Sequence, residues 1–194
     1  MKKIIDWVKP AVIATMLLLV LKWSGLLGGI SDVAQAALLK TGVRNADHSY
    51  TAAPNPFDFN FKIRTLQGQP VDFQQFKGKV VFLNLWATWC GPCRAEMPGI
   101  QQLYNTIDRS QIEFVMLSLD RSEHRQKVAD YISKAAYSFP AYTPIGNLPA
   151  VLNVPSIPTT LIINKQGQIV STEVGATNFN TKRFKKFLQQ LAEE

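Results

Sequence analysis

The chain has 194 residues, which allows one well-cored domain with an appendage and excludes two full-sized domains. Of its formal charge of +7, residues 1–53 hold +3 and the rest is spread along the remaining chain, so no nucleic-acid partner is expected. Its 2 cysteines stand three positions apart, which excludes a disulfide framework joining distant segments and leaves redox chemistry or half of a metal site.

The N-terminus is basic and then apolar. Lys2, Lys3 and Lys9 precede an apolar run over residues 10–21, and after Lys22 a mostly apolar stretch resumes to residue 30. Residues 10–21 alone cannot cross a hydrocarbon core of about 30 Å, but residues 8–30 can. Lys22 costs about 2.5–3.5 kcal/mol at the centre of such a span, less where it snorkels toward the interface. The basic flank places the N-terminus in the cytoplasm and exports the rest of the chain. A retained anchor over residues 1–33 is the favoured reading. The competing one is a cleaved signal peptide with Ala34-Gln35-Ala36 as its small-residue site, which leaves a soluble periplasmic protein. Residues 34–56 then form a juxtamembrane stretch and, from residue 48, a Pro-containing linker.

Over residues 57–194 strand and helix signals alternate. Residues 61–66 read as a strand, followed by a turn at Gln67-Gly68-Gln69-Pro70. Residues 80–86 form a nearly continuous apolar run, as expected of a strand buried on both faces of a sheet. A helix is expected from near Cys93 to Ile107, with Pro98 kinking it. Residues 112–119 read as a second buried strand and 123–136 as a helix with Val128, Tyr131, Ile132 and Ala135 on one stripe. A short strand at 139–142 and a helical turn at 148–153 follow. Residues 159–163 and 168–174 flank Asn164-Lys165-Gln166-Gly167, a hairpin turn.

Residues 180–192 close the chain as an amphipathic helix. Its run Lys182-Arg183-Phe184-Lys185-Lys186 reads as a solvated face, the alternative being a patch for polyanions or lipid head groups. The order gives an α/β architecture with parallel strands first and antiparallel ones last. Trp86, Tyr104, Phe114 and Phe187 are assigned to the core, and His124 to a solvated helix start.

The cysteines lie in Trp89-Cys90-Gly91-Pro92-Cys93, directly after the buried strand. Cys90 at a helix N-terminus would have its thiolate stabilised by unpaired N–H groups and the helix dipole, which lowers cysteine pKa values from about 8.5 to roughly 3.5–7.5. Cys90 is therefore the candidate nucleophile. Cys93, one turn further in and less exposed, is placed to resolve a mixed disulfide. Gly91 and Pro92 keep the bridge short. Zinc is the competing use, but a site needs about four ligands, and the other nitrogen donors, His48 and His124, lie in the linker and at a helix start. No metal and no cofactor are expected.

These residues carry a more specific resemblance. Trp89 to Cys93 resembles the thioredoxin active site, and Cys93-Arg94-Ala95-Glu96-Met97-Pro98 resembles the Cys-x-x-Glu-x-Pro extension of the TlpA/ResA-like membrane-anchored thiol–disulfide oxidoreductases. Ile157-Pro158-Thr159-Thr160 resembles the thioredoxin-fold loop whose proline is cis and faces the cysteines. The likeness also covers the turn at 164–167 and the helix and strand inserted at 123–143. It implies a thioredoxin-like α/β fold, a central mixed sheet flanked by helices, with an inserted helix and strand and an N-terminal membrane-anchor helix.

It implies that Cys90 and Cys93 form a redox-active disulfide. Where thioredoxins carry a buried aspartate six residues before the first cysteine, this chain has Asn84, which cannot titrate. Glu96 is the substitute: a partly buried carboxyl with a raised pKa could take the proton of Cys93 during resolution. The plainer reading of Glu96 is a first-turn carboxylate stabilising its helix. A cis Pro158 would leave the Ile157 N–H and carbonyl free to pair with an extended substrate and would keep metal from the thiols; the plainer reading is a turn proline. Trp89, Gly91, Pro92, Ile157 and Pro158 are the expected substrate-contacting residues.

The expected activity is reduction of disulfides in exported proteins, apocytochrome c among them, fed by a thiol-reducing membrane protein. A disulfide-forming oxidase and a non-catalytic membrane-tethered binding module are the alternatives.

Overall fold

The computed structural model describes residues 55–194 continuously, together with Thr15, Met16, Val20, Ala37, Asn45 and Ala46. The anchor over residues 1–33 and most of the linker lie outside the described residues. Among those described, no helix is long and apolar enough to cross a membrane.

The sheet is organised around strand β4 (Val80–Trp86), in which every residue is buried. It pairs in parallel with β5 (Ile112–Ser118) and antiparallel with β7 (Thr159–Ile163), so its backbone is satisfied on both edges. Five further strands, β1 (Asn55–Pro56), β2 (Lys62–Thr65), β3 (Pro70–Asp72), β6 (Ala141–Ile145) and β8 (Gln168–Val174), complete the layer in the order β1-β8-β7-β4-β5-β6-β2-β3. The two-residue alternation of β4 divides the core. Val80, Phe82 and Trp86 belong to the cluster on one face of the sheet, while Val81, Leu83 and Leu85 belong to the cluster on the other.

The helices are α1 (Gly91–Thr106), α2 (Arg125–Lys134) and α3 (Lys182–Glu193). Helix α1 buries Cys93, Met97, Ile100 and Leu103 in the same cluster as Phe82 and Trp86. Helix α3 buries Phe184, Phe187, Leu188 and Leu191, an i, i+3, i+4, i+7 stripe, and is capped by the Thr181 hydroxyl accepting from the Phe184 N–H at 3.1 Å. Lys182, Arg183 and Lys186 stand on its exposed side, as the amphipathic pattern requires. At the β7–β8 turn, Gly167 has φ +77°, and a Cβ there would come within 3.2 Å of the Phe59 ring.

Several boundaries differ from the sequence expectation. Helix α1 begins at Gly91 rather than near Cys93, because Pro92 is compatible with a first turn and Cys90 itself serves as the cap. The inserted strand occupies Ala141–Ile145 rather than 139–142, set by its register with Met116–Leu117 and with β2. Strand β3 starts at Pro70, the last residue of the expected turn, and with the short helix Phe73–Phe76 it fills a stretch to which the sequence pattern assigns no element. Asn55–Pro56, assigned by sequence to the linker, pairs with β8. Further upstream, the Ala46 N–H donates to the Asn178 carbonyl at 3.3 Å and Ala46 is 2% exposed. Composition marks polar and Pro-containing stretches as linkers, but a two-residue edge pairing has no periodic signal to reveal it.

Phe82 is fully buried, with ring centroids 4.8 Å from Phe114 and 5.1 Å from Phe179. Phe82→Ala removes these contacts and leaves a cavity beneath α1, so denaturant unfolding should show a loss of about 3–5 kcal/mol with the m-value unchanged.

Candidate active site

Cys90 and Cys93 form a disulfide at the start of α1. Buried β4 ends at Trp86, the chain turns through Ala87-Thr88-Trp89 with the Cys90 N–H donating to the Ala87 carbonyl at 3.1 Å, and the helix begins. The Cys90 sulfur occupies the cap position and accepts from the Cys93 N–H at 3.2 Å. A thiolate there would receive a backbone hydrogen bond at the positive end of a 16-residue helix. Cys93 is fully buried, whereas Cys90 retains 5% exposure, so an incoming disulfide can reach only Cys90.

Glu96 lies one turn beyond Cys93 on the same side of α1, and only 2% of it is exposed. The alternation of β4 places Asn84 on the face shared with Phe82 and Trp86, toward α1. Its Nδ2 donates to Glu96 Oε1 at 2.8 Å and to the hydroxyl of Thr160, its cross-strand partner, at 2.8 Å. The other carboxyl oxygen, Oε2, accepts from the Thr177 N–H at 3.0 Å. Burial raises the Glu96 pKa to about 8, even though the hydrogen bonds from Thr177 and Asn84 pull it down. A carboxyl so placed can give or take a proton near neutral pH.

The buried Asn84 Oδ1 has no partner among the described residues. Turning the carboxamide over would present that oxygen to a protonated Glu96, and the Thr160 hydroxyl could then donate instead of accept. An asparagine can therefore serve both protonation states of its neighbour.

The substrate-facing residues expected from sequence gather around Cys90. The Ile157–Pro158 peptide bond is cis, and the Ile157 carbonyl oxygen lies 3.8 Å from the Cys90 sulfur. In the disulfide this is a contact, since the sulfur carries no proton; a thiol could donate to that oxygen. The Ile157 N–H has no hydrogen bond among the described residues, while the Pro158 carbonyl is taken by the Gly175 N–H at 2.7 Å. Trp89 is 65% exposed and Trp86 fully buried, matching their expected surface and core assignments. Gly91 and Pro92 are partly or fully exposed beside the disulfide. Among the described residues, no cluster of three or more His, Cys, Asp or Glu side chains could hold a metal ion.

Sequence reasoning missed the Thr160 and Thr177 contacts to this network, and also Thr88 and Asp120. Asp120 is 3% exposed and binds Thr88, two residues before Cys90, at both its N–H and its hydroxyl. The available signal was an acid directly after a buried strand, where an unpartnered carboxylate would be costly.

The sheet order, the cysteine pair at the start of α1 and the cis proline opposite it define a thioredoxin-like protein. The chain belongs to the Redoxin family, whose model matches residues 51–191. It is 32% identical over 117 residues to the thiol–disulfide oxidoreductase ResA of Halalkalibacterium halodurans, a match covering 60% of this chain and 65% of that relative. It is 35% identical over 117 residues to the thioredoxin-like protein YneN of Bacillus subtilis, covering 60% of this chain and 68% of that protein. A thioredoxin-family thiol:disulfide interchange protein from Chlorobium tepidum has a similar structure, with a TM-score of 0.60 at 25% identity over 76% of this chain and 99% of that one.

The raised Glu96 pKa has a consequence for stability. Between the ordinary value of 4.5 and about 8 the folded protein holds a proton that the unfolded chain releases. This contribution is fully present below 4.5 and is lost as pH rises through about 8. Urea unfolding of the oxidised protein should therefore show wild type losing at least about 1.4 kcal/mol, the equivalent of one pKa unit, between pH 5 and pH 8.5. Glu96→Gln should remove most of that loss.

Proposed function

We propose that this chain is an extracytoplasmic thiol–disulfide oxidoreductase that reduces disulfides in exported proteins. The observation that carries the reading is the Cys90–Cys93 disulfide at the start of α1, with Cys90 facing the Ile157 carbonyl and Glu96 buried behind the pair. In the reduced protein the Cys90 thiolate attacks one sulfur of a substrate disulfide, forming a mixed disulfide and releasing the other sulfur as thiolate. Cys93 gives its proton to ionised Glu96, and its thiolate attacks the Cys90 sulfur. That step closes the Cys90–Cys93 bond and expels the second substrate sulfur; two electrons have passed to the substrate. The unpaired N–H of Ile157 and its carbonyl, which faces the Cys90 sulfur, hold the substrate as an added strand, with Trp89 and Pro92 beside it.

Reduction is favoured over oxidation by the Gly91-Pro92 bridge, as the resemblance to thioredoxin implies. Export and tethering are supported by the basic flank and the apolar stretch after it, within which Met16 and Val20 are 68% and 61% exposed. The partners are disulfide-containing exported proteins, apocytochrome c among them, and a thiol-reducing membrane protein that restores the dithiol.

Cys90→Ser should abolish disulfide reductase activity, whereas Cys93→Ser should accumulate a mixed disulfide through Cys90 that is visible by mass spectrometry. Full activity of Cys90→Ser would sink the mechanism. Equilibration with glutathione reads the direction: a potential near −270 mV supports a reductant and one near −120 mV an oxidant.

A further inference from the structure

The segment that carries Cys90 leaves the sheet at Trp86 and does not join α1 until Gly91. In between, Thr88 is held from the neighbouring strand. Its N–H donates to Asp120 Oδ2 at 2.7 Å and its hydroxyl donates to Asp120 Oδ1 at 2.6 Å. Asp120 is itself fixed. The Ser118 hydroxyl donates to Asp120 Oδ2 at 2.8 Å, and the Asp120 N–H donates to the Ser118 oxygen at 3.1 Å. Just before Asp120, the Leu119 N–H extends the β4–β5 ladder to the Trp86 carbonyl at 2.7 Å. On the helix side, the Arg94 guanidinium reaches the Thr88 carbonyl at 3.5 Å.

This is a bidentate grip on one residue. A carboxylate has an acceptor for each of the two Thr88 donors, whereas an asparagine has only one oxygen and would set its NH₂ against an N–H or O–H. Burial pushes the Asp120 carboxyl up. The hydrogen bonds from Thr88 and Ser118 and the charge of Lys127 outweigh burial and hold the carboxyl below its ordinary value, so it is ionised at neutral pH. Its charge is spent on these donors, and its effect on the cysteines is through placement.

We propose that Asp120 is a positioning residue for the cysteine pair, fixing Thr88 so that the Cys90 sulfur sits against the first-turn N–H groups of α1 and sets the reactivity of the Cys90 thiol. If Thr88 shifts, the bond from the Cys93 N–H to the Cys90 sulfur, now 3.2 Å, lengthens and the thiolate loses part of its stabilisation. The inference rests on Cys90 being the attacking thiol.

The test uses the reduced full chain and iodoacetamide, with alkylation followed against pH and each cysteine resolved by peptide mass spectrometry. Thr88→Val and Asp120→Asn should raise the midpoint of Cys90 alkylation by about one unit. At a pH well below the midpoint, where thiolate is the minor form, a tenfold loss of thiolate, offset about threefold by the greater nucleophilicity of a more basic thiol, slows alkylation about threefold. Thr88→Ser keeps the hydroxyl and should titrate as wild type. Should Asp120→Asn fail to fold, the Thr88→Val and Thr88→Ser pair decides. Wild-type Cys90 midpoints in Thr88→Val and in any folded Asp120→Asn, with only the melting temperature lowered, would overturn the inference. If wild type itself shows the low midpoint at Cys93 rather than Cys90, the proposed order of attack fails instead, and the two failures are read separately.

Discussion

The site depends on burying the Glu96 carboxyl between α1 and β4. Few groups resist burial more than a carboxylate, and here it receives one N–H from the backbone of Thr177 and one from the Asn84 side chain. Two donors are not enough to offset desolvation, so the proton stays on to about pH 8. The surroundings follow from that requirement. Asn84 must face α1, which the alternation of β4 arranges, and Thr160 must stand opposite Asn84, which the β4–β7 register arranges. The loop bearing Thr177 must approach α1 closely enough for its N–H to reach Glu96.

A second buried carboxyl, Asp120, shows how environment sets the opposite outcome. It lies at the end of the strand next to β4 and accepts from two hydroxyls and one N–H, with Lys127 adding favourable charge. Burial acts on both groups in the same direction, yet one is driven up and the other held down, because Asp120 lies less deep than Glu96, accepts from more donors and faces the charge of Lys127. Two carboxyls pushed apart in this way are suited to different tasks. Glu96 is suited to exchanging a proton beside Cys93, and Asp120 to holding the backbone that presents Cys90.

Much of this was legible in the sequence, for identifiable reasons. The fully buried run Val80–Trp86, the stripe at Phe184, Phe187, Leu188 and Leu191, and the Asn164 to Gly167 turn each repeat a local rule several times over, and the structure follows them. The cysteine pair, Glu96 and Pro158 stand out in the sequence through their chemistry and through resemblance, and the structure brings them together. Less legible were interactions made by single residues across long separations. Thr177 meets Glu96 across 81 positions and Thr88 meets Asp120 across 32, and neither pair has a periodic signature. Strand β1 and the docking of Ala46 escaped for a related reason, since a two-residue pairing is too short to show alternation. In the sequence Asn84 shows only that it cannot titrate; its contact with Glu96 is made by the packing of β4 against α1, which no local pattern encodes.

This chemistry requires Glu96 to be a neutral acid in the oxidised protein at neutral pH. The direct measurement is a ¹³C NMR titration of its side-chain carboxyl in the oxidised full chain, assigned by comparison with Glu96→Gln. A single titration centred near pH 8 is expected. A midpoint near the ordinary 4.5 would contradict it, because Glu96 would then be a charged helix-start carboxylate with no proton to exchange at the cysteines.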